Sequence, residues 1–169
     1  MSAIYWGVQR FGEETFDLSH LRPFMVTVTP AKQPDRTINV VVSFGFHVFT
    51  RKRAAGDSGK YFMGTANDPR TFSPERLECS RQLPLIIREA CSGRVQFSHS
   101  ESFRIPRQLP KTEGEYATIF RLEKSDAGES CVRMFVISAH LREPLVNPRE
   151  INFAKLVTCV ADGLPFPRK

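Results

Sequence analysis

Close cysteine pairs and long apolar runs are both scarce in this 169-residue chain. Its four cysteines, Cys79, Cys91, Cys131 and Cys159, stand far apart with no C-x-x-C pair. That spacing supports neither a compact zinc site nor the disulfide framework of a small secreted domain, and reads as isolated thiols in a reducing compartment. The longest uncharged, largely apolar run covers residues 37–50 and is interrupted by Asn39, Ser43 and His47. It falls short of the roughly 20 apolar residues a membrane-spanning helix needs. The N-terminus lacks a basic segment followed by an apolar one, so no signal peptide is expected and the cytoplasm is the expected location. The chain has no Gly-rich phosphate loop, no G-x-S-x-G elbow and no H-E-x-x-H pair, so no cofactor and no metal are expected.

Cations, by contrast, are plentiful. The net charge is +6, and 17 of the 24 Lys and Arg residues are arginine. Residues 51–107 hold 11 cations against 6 carboxylates, a local excess of +5. Arginine forks match phosphate and carboxylate oxygens in bidentate fashion, whereas lysine acts as a point charge. The pattern suits RNA or another anionic partner, and equally suits a solvated basic surface.

Periodicity predicts one α+β domain over residues 1–169, with a mostly antiparallel curved sheet made from two hairpins and packed by two helices. Residues 1–22 read as a polar N-terminal arm. Residues 23–30 and 37–50 alternate and read as the first hairpin, with Ile38, Val40, Val42, Phe44, Phe46 and Val48 on the core face. His47 falls on the mixed face, with Gly45 leaving room there for a ligand or another backbone. Residues 51–70, rich in glycine and cations, read as a long basic loop. Ser73 and Pro74 form a helix start, Leu77, Leu83, Ile87 and Ala90 an apolar stripe, and Pro84 an internal break. Residues 94–106 read as an edge strand or short hairpin. Residues 116–123 and 131–141 read as a second hairpin across the turn 124–129. The last helix is expected over 148–162, with Asn147 as its cap.

The residues that could carry chemistry are few. Ser138 and His140, two apart on a strand, share a face in a regular alternation, with Met134 and Val136 behind them. If the hairpins meet, His47, Ser138 and His140 line one surface with Arg70 and Arg76 close by. Such a set suits metal-independent RNA cleavage: His47 and His140 as acid and base, Ser138 positioning, and Arg76 and Arg70 on the phosphate. Arg51, Lys52, Arg53 and Arg81 extend the candidate anion-binding surface. The competing readings are a half-buried structural histidine and a non-enzymatic module that binds an anionic partner. Ser138 and His140 lack the sharp turn and oxyanion amides of a serine hydrolase. Glu75 and Glu78 beside Arg76 and Arg81 read as surface ion pairing. His99 reads as an exposed loop residue, and Phe62, Phe72, Phe97 and Phe103 fit core packing better than base stacking.

The stretches VVVSFGFHVFT, RTFSPERLECSRQLPLII and RMFVISAHL, in that order, resemble a family of bacterial prophage- and mobile-element-associated proteins known as stationary phase growth adaptation proteins. The likeness runs from about Phe24 to Leu141. The last hairpin, ending in Ser138-Ala139-His140, is also similar to that of BECR-type ribonuclease toxin domains, where a Ser or Thr joins a His and an Arg or Lys. The resemblance implies an RNA-directed, toxin-like protein, with an antitoxin, immunity protein or phage protein as a further partner. The helix with Pro84 between the hairpins departs from the simplest version of that toxin pattern.

Overall fold

The computed structural model describes residues 5–99, 101–126, 128 and 130–166. The second expected hairpin is the centre of the sheet. Strands β10 (Glu115–Lys124) and β11 (Cys131–Arg142) pair antiparallel; of the turn between them, Ala127 and Glu129 lie outside the described residues. The first hairpin is β3 (Phe24–Val28) and β4 (Ile38–His47), and it joins the second by laying β4 parallel to β11. Three further strands complete a seven-stranded sheet: β8 (Arg94–Phe97), β9 (Phe103–Arg107) and β12 (Glu150–Asn152), in the order β12-β8-β9-β10-β11-β4-β3. The architecture is the expected α+β domain with a curved, mostly antiparallel sheet. Residues 94–106 form the short hairpin, β8 paired antiparallel with β9, and not an edge strand, because β12 covers β8 on the outside.

Helices cover one face. Ser73 caps α1 (Pro74–Ser80), its Oγ accepting from the Arg76 amide at 3.3 Å. A turn at Arg81-Gln82 then leads into α2 (Leu83–Ala90), which carries Pro84 in its first turn, where no amide donor is missed. The two are thus one bent helix, as the proline requires. The last helix, α3, spans Phe153–Ala161 and starts five residues later than its local signature suggests. Ile151 pairs with Val95 and draws Glu150–Asn152 into the sheet, so the cap is Asn152, whose Oδ1 accepts from the Lys155 amide at 3.1 Å. Asn147 instead adopts φ +48°.

The core lies between that face and the helices. Ile38, Val40, Val42 and Phe44 of β4 meet Val132, Met134 and Val136 of β11, all fully buried. Phe120 contacts Phe153 of α3, and the Arg88 guanidinium of α2 lies 4.6 Å above the Phe24 ring. Each fully buried side chain of this size contributes about 1.5–3 kcal/mol of transfer free energy.

Two segments read as irregular are ordered. The N-terminal arm forms a hairpin, β1 (Val8–Phe11) with β2 (Glu14–Asp17), followed by a 3₁₀ turn at Ser19–Leu21. Leu18 and Leu21 have no exposure, and Trp6 Nε1 donates to the Phe44 carbonyl at 2.7 Å. The expected basic loop is a small sheet of its own, β5 (Thr50–Lys52), β6 (Phe62–Gly64) and β7 (Pro69–Phe72), in the order β5-β7-β6. Its short strands carry too little alternation to be read from sequence. Phe72, with Phe11, Phe16 and Tyr61 around it, ties it to the N-terminal hairpin.

Because Leu21 is wholly enclosed, Leu21→Ala leaves a cavity and is expected to destabilise the protein by about 2–5 kcal/mol. Equilibrium urea denaturation measures this; a loss below 1 kcal/mol, on the order of a surface substitution, would mean that the N-terminal segment is not part of the core.

Candidate anion site at the end of strand β11

Strand β4 leaves the large sheet after His47, whose partner on β11 is Ser138. Beyond that point the end of β11 has no strand beside it on that side. The departure is held by two arginines. Arg70 donates from Nε to Thr50 Oγ1 at 2.9 Å and from Nη2 to the Thr50 carbonyl at 3.1 Å. Arg76 Nη1 donates to the same carbonyl at 2.6 Å and to that of His47 at 3.2 Å. Thr50 Oγ1 in turn donates to the Phe46 carbonyl at 2.7 Å. Carbonyls freed by a strand leaving its sheet need donors when buried, and here guanidinium groups supply them.

A bulge decides which way Ser138 and His140 face. Ile119 pairs with Ser138 but Phe120 with Val136, so Ile137 is the additional residue. Without it Ser138 and His140 would continue the face of Met134 and Val136 into the core, as a regular alternation expects. With it Ala139 takes the buried position, and Ser138 and His140 turn to the other side, half-buried. The room expected beside Gly45 is taken by the Phe135 ring, whose Cζ would lie 2.9 Å from an added Cβ.

In the gap lies a cavity of about 220 Å³ lined by Arg51, Arg76, Cys79, Tyr116 and His140, with Ser73, Glu75 and Leu141 completing the wall. Arg142 Nε donates to His140 Nε2 at 2.7 Å, so in the neutral ring the proton resides on Nδ1, which is buried and without a partner. Burial, then the charges of Arg76, Arg142, Arg70 and Arg104, push the His140 pKa down to about 4. Tyr116, with no exposure, also has an unpartnered hydroxyl, and burial raises its pKa far above the usual phenol range. Burial also raises Cys79, which is therefore a thiol at neutral pH rather than a nucleophilic thiolate. Among the described residues neither Arg76 nor Arg142 forms an ion pair, whereas Arg70, Arg51 and Arg104 face Asp68, Asp57 and Glu115.

His47 is held separately. Its Nε2 lies 2.8 Å from Asp68 Oδ2, and this contact is the largest cause of the lowered Asp68 pKa. Asp68 is fixed by the tight turn at Gly64, φ +103°, where a Cβ would run into the Asp68 carbonyl oxygen. Of the residues expected from sequence, His47, Ser138, His140, Arg70, Arg76 and Arg51 gather around the end of β4 and β11. Lys52 and Arg53 do not line the cavity; Arg53 lies 5.3 Å over Phe62. Arg81, in the turn between α1 and α2, pairs with Glu78 at 2.9 Å, the expected surface ion pair. His99 is exposed, while Phe72 and Phe103 are core. Tyr116, Arg142 and Asp68 had no sequence signal: the fold alone brings Asp68 to His47, 21 residues away, sets Tyr116 in the cavity wall, and turns His140 through the bulge to meet Arg142. Among the described residues no cluster of His, Cys, Asp or Glu could hold a metal ion, and no helix is long and apolar enough to cross a membrane.

The His140 environment sets a pH dependence. Below the unfolded pKa near 6.5 the unfolded chain takes up a proton that the folded chain refuses until about pH 4. Stability from this group is therefore complete above pH 6.5 and declines as pH falls from 6.5 to 4. NMR titration of the imidazole should give a midpoint near 4; a midpoint at or above 6 would contradict the arginine field and the Nδ1–H tautomer.

No curated protein and no solved structure matches the chain. A family match does extend over residues 8–161, from the first strand to the end of α3, and includes every element of the site. The chain belongs to the YjaZ family.

Proposed function

We propose that the protein is an RNA-binding module that engages phosphates at the end of β11. The observation that carries this reading is the pair of arginines without carboxylate partners, Arg76 and Arg142, on either side of a neutral His140. Holding the half-buried Arg76 near Arg70, Arg142 and Arg51 costs free energy in the unliganded protein, and a bound anion offsets it. The basic balance of residues 51–107 and the resemblance to RNA-directed proteins of mobile elements support RNA as that anion, and a cytoplasmic place of action goes with it. In this reading His140 is not a general acid at neutral pH. Its Nε2 is occupied by a donor, and it contributes the Nδ1–H instead.

A chemical step on RNA, with toxin-like cleavage as its outcome, is a second reading favoured by one contact, that of Asp68 with His47 Nε2. The carboxylate orients the imidazole, and Ser138 stands across from it in register. His47 would then take the 2′-hydroxyl proton as that oxygen bonds to phosphorus, the 5′-oxygen would leave with a proton from water, and arginines would stabilise the charge on the phosphorane oxygens.

Fluorescence anisotropy with a single-stranded oligoribonucleotide tests the binding reading. Affinity should fall by roughly tenfold or more between 50 and 200 mM salt, as for two or more phosphate contacts, and Arg142→Gln should lower the log–log slope by about 0.7. Absence of binding at low salt, or a salt-insensitive complex, would remove it. For the chemical reading, RNA is incubated with purified protein and products are separated by gel. His47→Ala should reduce the rate by about 10²-fold or more; equal rates for both proteins would discard cleavage and leave binding.

A further inference from the structure

We infer that the cavity beside the end of β11 is a pocket for a phosphate monoester, the terminal phosphate of an RNA chain rather than an internal phosphodiester. This rests on the RNA reading for the identity of the chain attached to the phosphate, not for the pocket itself.

The donors around the cavity carry the inference. The hydroxyl of Tyr116 is wholly buried and makes no hydrogen bond, although Tyr116 lines the cavity and its oxygen feels the charge of Arg76, which lines it too. His140 Nδ1 is also buried and unpartnered, and the bond from Arg142 to Nε2 makes it a donor. Arg76 commits only Nη1 to the Thr50 and His47 carbonyls, so among the described residues its Nε and Nη2 make no hydrogen bond. An unmet buried donor costs about 1–3 kcal/mol, and a folded protein rarely leaves two beside one cavity without a use. The polar groups not already engaged are thus predominantly donors. Of the other charged groups in the wall, Arg51 is held by both carboxylate oxygens of Asp57, at 2.6 and 2.8 Å, and the Glu75 carboxylate sets the side that an anion avoids.

Size and depth favour a chain end. The cavity, about 220 Å³, has room for one tetrahedral phosphate with some water, and not for a nucleotide buried whole. A phosphodiester carries a sugar on both sides, more than a cavity of this size can admit beyond its mouth. A monoester carries one, and its second negative charge is better matched to Arg76 with Arg142 and Arg70 behind it than a single charge would be.

The test compares one oligoribonucleotide sequence in three forms, 5′-phosphorylated, 3′-phosphorylated and with both ends dephosphorylated, against the wild-type protein and Tyr116→Phe. Inorganic phosphate is titrated separately while the His140 ring is followed by NMR. One end-phosphorylated form should bind about tenfold tighter than the dephosphorylated one, the contribution of one or two charge-assisted bonds. Tyr116→Phe should remove most of that preference without weakening the dephosphorylated oligonucleotide. The variant keeps the ring and loses an unpartnered hydroxyl, so without ligand its thermal midpoint should equal or exceed that of the wild type. Inorganic phosphate should raise the His140 midpoint. If all three oligonucleotides bind alike and phosphate leaves His140 unmoved, the pocket assignment is overturned and RNA binding stands. If phosphate moves His140 in the wild type, less so in Tyr116→Phe, while no oligonucleotide binds, the pocket stands and the RNA reading falls. A preference for phosphorylated ends that Tyr116→Phe leaves intact overturns the assignment to this cavity.

Discussion

The carbonyl oxygen of Thr50 accepts from two guanidinium groups, Arg70 and Arg76, at the point where β4 turns out of the large sheet. A strand that leaves its sheet exposes backbone acceptors, and here they are inside the protein, where water cannot satisfy them. The two arginines resolve that problem and in doing so hold β5 and the start of α1 against the end of β11. The gap that results is the cavity. The burial and arginine charges that lower His140, and the unpartnered hydroxyl of Tyr116, belong to the same gap. Structural need and electropositive potential therefore have one source, and removing Arg70 or Arg76 would alter the path of the chain as well as the charge.

The division of labour among the arginines follows from burial. Arg70 is almost enclosed and fully engaged by Thr50 and Asp68, so it contributes field more than contact. Arg76 is half-buried with one nitrogen committed, and Arg142 donates through Nε to a histidine. These two retain both charge and donors. Arg51, Arg81, Arg94, Arg104 and Arg107 are each matched to a carboxylate.

The two histidines, similar in sequence context, are dissimilar in physical setting. His47 has a carboxylate at its Nε2 and His140 an arginine. Burial and the surrounding arginines keep the His140 ring neutral, while a carboxylate orients His47, so the pair cannot be treated as interchangeable acid and base. The parallel register of β4 and β11 brings Ser138 opposite His47 and sets His140 two residues farther along, beyond the point where β4 departs.

Much of the architecture is written in local patterns. Alternation marks β3, β4, β10 and β11, Ser73-Pro74 marks the start of α1, and Pro84 marks the break before α2, because side-chain direction, capping and the missing proline amide act over a few residues. The core face of β4 from Ile38 to Phe44 and the general location of the cationic site were legible for the same reason. What lay beyond it depends on partners distant in the chain. Asn147 has the better local cap signature, yet Asn152 starts the helix because Ile151 finds Val95. Alternation carries Ser138 and His140 toward the core, and one bulge residue, Ile137, turns them away from it. Composition counts the arginines but not the carbonyls and carboxylates that occupy them. The sequence by itself determined the long strands β3, β4, β10 and β11, the start and break of the first helix, and that cations dominate the middle of the chain. Only the tertiary structure decided which donors remain unsatisfied, since a hydrogen bond is met or unmet according to what the rest of the fold brings within 3 Å of it.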